Sequence, residues 1–187
     1  MQAMRETRQE NEPASATLCK ACGLCCTGHL FVNAEFKPVE VKTTKALGLK
    51  VLETDPEKPV FRLPCPLWDG KCTIYTHPYK PSICSAFKCK LLKEIEEEQV
   101  QLNEALTFVQ AAKQLIQNLE EKLPGDQEIN FRQRLFDHMN QLENSASHTQ
   151  AVNAFRLEAG TLLVLFTKRF GVTGLFNTPE QAGSEKV

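Results

Sequence analysis

Eight cysteines carry the chemistry that this sequence offers: Cys19, Cys22, Cys25, Cys26, Cys65, Cys72, Cys84 and Cys89. Four of them form a Cys19-x-x-Cys22-x-x-Cys25-Cys26 run, and Gly23 follows Cys22. In a CxxCG turn the two thiolates face one point, and the glycine takes the positive φ that turns backbone N–H groups toward the sulfurs. Cys19 and Cys22 are therefore a strong pair of metal ligands. Cys25 and Cys26 are neighbours, and neighbouring side chains diverge by about 180° in a strand and about 100° in a helix. They are poor ligands for one ion and good ligands for two adjacent ones. Eight thiolates divide into two sets of four, which suits zinc, iron–sulfur clusters or one of each, while a single four-thiolate site would leave four spectators.

The other four thiols need positioning elements. Asp69-Gly70 reads as a two-residue hairpin turn between short strands, with Trp68 opposite Lys71, Leu67 opposite Cys72 and Cys65 opposite Ile74. That register sets Cys65 and Cys72 diagonally on one face, about 7 Å apart. Phe61-Arg62-Leu63 reads as a further strand, and Pro38 to Leu47 as a short helix that Gly48 stops. Cys84 follows Pro81-Ser82 at the start of a helix, whose dipole favours a thiolate there. Cys89 lies about 140° further round, so the two need not share a metal.

Downstream the composition changes to Glu, Gln, Leu, Lys and Ala, and no cysteine follows Cys89. Leu92, Ile95, Leu102, Leu106, Val109 and Ile116 keep a three/four spacing, which predicts one long helix from about Ser85 to Lys122. Straight, it would be about 50 Å long, against a diameter of about 40 Å for a compact domain of this size. It must kink, or else protrude with an apolar stripe for a protein partner or a second copy. Asp126 is a candidate cap for a second helix to about Leu142, and a third runs from about Thr149 to Phe170, across Gly160, to Gly171.

The expected fold is α+β and mostly helical. A small cysteine-rich, metal-stabilised region with short strands and a hairpin packs on an antiparallel region of about three helices. The boundaries read as a mobile lead-in (1–17), the cysteine-cluster region (18–90), the helical region (91–176) and a frayed tail (177–187).

Composition narrows the function classes. Lys and Arg number 22 against 23 Asp and Glu, so no global positive field gathers nucleic acid. Met1 to Thr17 lacks the apolar core of a secretory signal, and the longest apolar run, Leu162 to Phe166, falls far short of the roughly 20 residues of a membrane span. These features predict a cytoplasmic protein, where cysteines serve metal or redox chemistry more often than disulfides. No Gly-rich phosphate loop, HExxH or GxSxG is present, and no nucleophile, base and orienter stand together outside the thiols. Metal binding leads; an iron–sulfur oxidoreductase or electron carrier and a metal-stapled helical adaptor are the alternatives. His29 and His77 are weaker ligand candidates, and Lys71, Lys80 and Lys88 are candidate counter-charges for tetrathiolate centres.

The run Cys19 to Cys26, with Cys65-Pro66, Cys72-Thr73-Ile74-Tyr75, Lys80-Pro81-Ser82-Ile83-Cys84 and Phe87, resembles the YkgJ-type cysteine-cluster family, described as chelating zinc or iron. The resemblance covers about residues 18 to 90. It implies that all eight cysteines are metal ligands, with zinc and iron–sulfur both open, and members often carry the label iron–sulfur oxidoreductase. Lys80 stands where the family pattern has arginine, and Thr76-His77-Pro78-Tyr79 makes the preceding gap longer, so the loop before Cys84 is expected to differ in shape. A longer relative is similar to flagellin lysine methylases, but this chain is too short to add a methyltransferase domain, and that activity is not carried over.

Overall fold

The computed structural model describes residues 12–145 and 149–172. The expectations for residues 1–11 and for the tail fall outside them. Among the described residues the chain is mostly helical with one small antiparallel sheet, as expected.

The first helix, α1 (Ala14–Cys22), begins inside the stretch expected to be a lead-in. Its Leu18 is 2% exposed, and burying that side chain holds the segment on the core. The sheet has the order β1-β3-β2, from β1 (Asn33–Glu35), β2 (Val51–Leu52) and β3 (Val60–Arg62). In register, Ala34 and Val51 flank Phe61. Between β1 and β2 a 3-10 turn leads into α2 (Val41–Ala46), and Gly48 follows at φ 82° as the stop. This sheet covers a small core of Phe36, Leu49, Phe61 and Leu63.

The expected long helix is three helices: α3 (Ile83–Ala86), α4 (Lys90–Glu96) and α5 (Leu102–Glu120). The first break falls at Phe87, which is extended, before Cys89 caps α4. At the second, Glu98 takes φ 57°, and Gln99 N–H donates to the Glu94 carbonyl at 2.8 Å while Glu98 N–H donates to that of Ile95. This is a Schellman ending with glutamate where glycine is usual. The acidic run Glu94, Glu96, Glu97 and Glu98 weakens continuation, since like charges three or four apart repel.

Helix α6 (Phe131–Asn144) starts later than Asp126 suggested. Asp126 caps a turn through Glu128 N–H, and Asn130 is the true cap, its Oδ1 accepting from Arg132 N–H at 2.9 Å. Helix α7 (Gln150–Leu165) is capped by Thr149, runs through Gly160 and continues as a π-helical turn, Phe166–Phe170, to Gly171. The stripe Ala105, Val109, Ala112, Ile116 and Leu119 of α5 shares the main core with Phe155, Ala159 and Leu162 of α7 and Phe166 of the π-helical turn. Helix α1 packs on both α4 and α5. The helix breaks rather than protrudes, and this part of its apolar stripe packs within the chain; Val109 is 2% exposed. Among the described residues no helix is long and apolar enough to cross a membrane.

Candidate metal centre

Cys19 and Cys22 stand one turn apart at the end of α1. The helix stops at Gly23, whose φ of 68° is left-handed, as the CxxCG reading requires. The glycine has a second reason: a Cβ there would lie 2.0 Å from Cζ2 of Trp68, so the indole rests on bare backbone. A tight turn follows. Thr27 N–H donates to the Gly23 carbonyl at 2.8 Å and Gly28 N–H to that of Cys25 at 3.1 Å, which sends Cys25 and Cys26 round the bend.

The predicted hairpin does not form as a ladder. Trp68 pairs with Cys72 in a lone antiparallel bridge, and Thr73 N–H donates to the Leu67 carbonyl. The loop therefore holds Asp69, Gly70 and Lys71, one residue more than expected. Pro64 and Pro66 explain it, since neither offers an N–H to a ladder. Cys65 is instead tied to the first cluster, its N–H donating to the Cys26 carbonyl at 2.7 Å.

Cys84 sits in the short α3 rather than at the head of a long helix. Glu40, far away in sequence, holds that segment: Ser82 N–H and Oγ–H donate to its two carboxylate oxygens, each at 2.8 Å. Burial works against the Glu40 charge, but these hydrogen bonds and nearby Lys37 outweigh it and keep its pKa below the usual range. Cys89 caps α4 with an extended backbone, against the core that also takes Cys22 and Cys25.

All eight cysteines are free thiols. Burial is the first cause of the raised pKa of seven of them, pushing Cys22 and Cys84 up to about 12 and Cys25 and Cys26 well above the ordinary thiol value. Mutual repulsion also acts on all seven and maps their neighbours. Cys25 feels Cys22 first, then Cys89. Cys26 feels Cys65, Cys72 and Cys84. Cys19 stands between the groups: both Cys25 and Cys26 feel it, and it feels Cys72 itself. The vicinal pair thus faces two different gatherings of sulfur. The donor set is the soft, thiolate-rich kind that zinc and iron–sulfur clusters take. As they stand, however, no three His, Cys, Asp or Glu side chains among the described residues converge closely enough to hold an ion. The sulfurs are gathered rather than closed, and one torsion, χ1, sets each of them.

Lysines line this region. The ammonium groups of Lys20 and Lys80 lie 4.7 and 4.5 Å from the ring centre of Tyr75, and Lys80 also acts on Cys19 and Cys84. Lys88, expected as a counter-charge, bonds Glu96 at 2.7 Å instead. His77 accepts from Tyr79 N–H in an exposed turn. His29 pairs with Thr27 Oγ1 at 2.6 Å and meets Phe131 edge-on; burial pushes its pKa down to about 4. A hollow of about 240 Å³ lies beside it, lined by Cys22, Leu24, Trp68, Lys113 and Ile116.

Sequence reasoning missed the residues that hold this region from afar. Asn130 Nδ2 donates to the Gly28 carbonyl at 3.1 Å, Arg132 to that of Leu30 at 2.6 Å, and Lys113 to that of Ala21 at 2.8 Å. Only the capping type of Asn130 left a local signal.

Residues 18–108 match the model of the CxxCxxCC family, which carries the description "Putative zinc- or iron-chelating domain". No curated protein and no solved structure matches the chain. The segment that holds all eight thiols and leads into α5 belongs to the CxxCxxCC family.

Proposed function

We propose that the chain is a thiolate metal protein with two neighbouring centres, held by Cys19, Cys22, Cys25 and Cys89 and by Cys26, Cys65, Cys72 and Cys84. The observation that carries this reading is the parting of the vicinal pair: Cys25 packs with Cys22 and Cys89 on the main core, while Cys26 is bonded through its carbonyl to Cys65. Zinc would supply a four-coordinate staple at each set, and an iron–sulfur cluster would supply a one-electron site. The chain's own part is to bring low-charge, protonated thiols together. Metal uptake displaces their protons, so affinity falls as pH falls. Lys80, which acts on Cys19 and Cys84, offsets the surplus negative charge of a filled tetrathiolate set, whereas Lys20 is paired with Glu12. Electron transfer is the second reading, favoured by the exposure of Cys19 and Cys84, which would leave an iron–sulfur cluster open to a redox partner.

The test is metal and sulfide analysis of anaerobically purified protein, with its visible spectrum. About two zinc ions in a colourless protein support the first reading. Iron with inorganic sulfide and a band that dithionite bleaches supports the second. Less than about half an equivalent of zinc and iron together overturns both, because a metal that shares in folding fills its site.

A further inference from the structure

We infer that the two centres do unequal work: Cys19, Cys22, Cys25 and Cys89 hold a permanent structural metal, whereas Cys26, Cys65, Cys72 and Cys84 hold an exchangeable one. The inference rests on the two-centre reading above and concerns what each centre is for. The outer set is then a site that takes up and hands on a soft divalent metal ion.

The difference lies in what each set is anchored to. In the inner set, Cys19 and Cys22 belong to α1, and Cys89 caps α4, which packs on α1. Leu18, Leu24 and Leu91, beside these cysteines in sequence, are each at most 2% exposed. Spreading the inner sulfurs means parting α1 from α4 and opening the main core, which is close to global unfolding.

In the outer set, Cys65 and Cys72 lie on loop with one isolated bridge, and Cys84 lies in a four-residue helix. From Pro64 to Ser85 the fully buried residue is Pro81. The long-range ties of this segment run to the small sheet core and the first cysteine run rather than to the α5–α7 core: Cys65, Leu67 and Ile83 pack on the sheet core, Cys65 N–H donates to Cys26, Ser82 to Glu40, Trp68 lies over Gly23, and Lys20 lies over Tyr75. Local opening there costs only a fraction of global stability. Each set has one exposed thiol, Cys19 in the inner and Cys84 in the outer, so an acceptor can touch either, and what separates them is how far the set opens without disturbing the main core. The hollow near the inner set touches Cys22 alone, and release there still needs the other three thiols to let go. In exchange, four sulfur–zinc bonds break, the acceptor's donors bind the zinc, and the freed thiolates take up protons; nothing is oxidised.

The experiment uses the full chain loaded with zinc alone. Excess pyridylazoresorcinol follows release by colour, and native mass spectrometry counts the zinc left on each chain. Expected are two phases of one equivalent each, with rates at least about tenfold apart. Cys84→Ser and Cys65→Ser should each lose the rapid equivalent, keep the slow one and keep the helical circular dichroism. A single phase for both equivalents, or loss of both in these two outer variants, overturns the inference and leaves the two-metal reading standing. A wild-type chain that binds less than about half an equivalent overturns the underlying reading instead.

Discussion

The helical part and the cysteine-bearing part of this chain solve the folding problem differently. In the helical part, Ala105, Val109, Ala112, Ile116 and Leu119 face Phe155, Ala159, Leu162 and Phe166, and each is 5% exposed or less. Full burial of a large apolar side chain is worth roughly 1.5–3 kcal/mol, so apolar packing alone accounts for this part. The sheet core of the other part holds four buried residues, Phe36, Leu49, Phe61 and Leu63, under strands of two or three residues. Four side chains offset the ordering of only a few residues at about 1–2 kcal/mol each. Where a core would continue, there are thiols. The comparison sets a part closed by apolar packing beside one in which eight free thiols accompany a core of four apolar side chains.

The largest expected effect sharpens that contrast directly. Stripping metal from anaerobically prepared protein should collapse the dispersed amide signals of residues 23–89 while those of α5 and α7 persist, since structural zinc contributes on the order of 10 kcal/mol. Two-dimensional NMR checks this, and an unchanged spectrum for both parts would break the comparison. Phe166→Ala is the converse perturbation. It should cost about 3–5 kcal/mol whether or not metal is present, measured by denaturant titration of both forms.

Next comes pH. Burial raises the Cys22 pKa from 9.0 to about 12 in the folded metal-free chain. The unfolded chain ionises first, so this contribution is intact below pH about 9 and lost as pH rises toward about 12, on the order of a few kcal/mol. The metal-free form should therefore melt lower as pH rises through that range, and a flat melting profile would contradict the burial of that thiol.

Two glycines separate the parts at single positions, the second giving the smallest effect. Gly23→Ala meets both a left-handed backbone and the Trp68 ring and should cost about 3 kcal/mol or more. Gly160→Ala, mid-helix with open space around it, should gain about 0.5–1 kcal/mol. Thermal melts of the two variants give the answer, and equal shifts would remove the distinction.

What could be read from sequence follows from the range of the interactions. Thr149, Gly171 and Gly48 mark element ends through local backbone chemistry, and all three stand where that chemistry placed them. The break between α4 and α5 was hidden for a specific reason. Ile95 and Leu102 are seven residues apart, close to two full turns, so the apolar stripe keeps its phase across the break. The start of α6 was ambiguous because Asp126 and Asn130 are both capping types, and the choice is made by the bond from Asn130 to Gly28. The same holds at the site: eight cysteines and a glycine turn were legible, whereas Glu40 on Ser82 and Arg132 on Leu30 join positions that no local pattern connects.

Trp68 is the one tryptophan of the chain. It lies across Gly23 at the end of the first cysteine run and shares a bridge with Cys72 of the second. Any change in how these two runs approach each other alters the surroundings of a single fluorophore, so the protein carries its own optical gauge at the seam of its two thiol sets. Emission from an unlabelled sample follows that seam while the helices, which hold no tryptophan, stay dark.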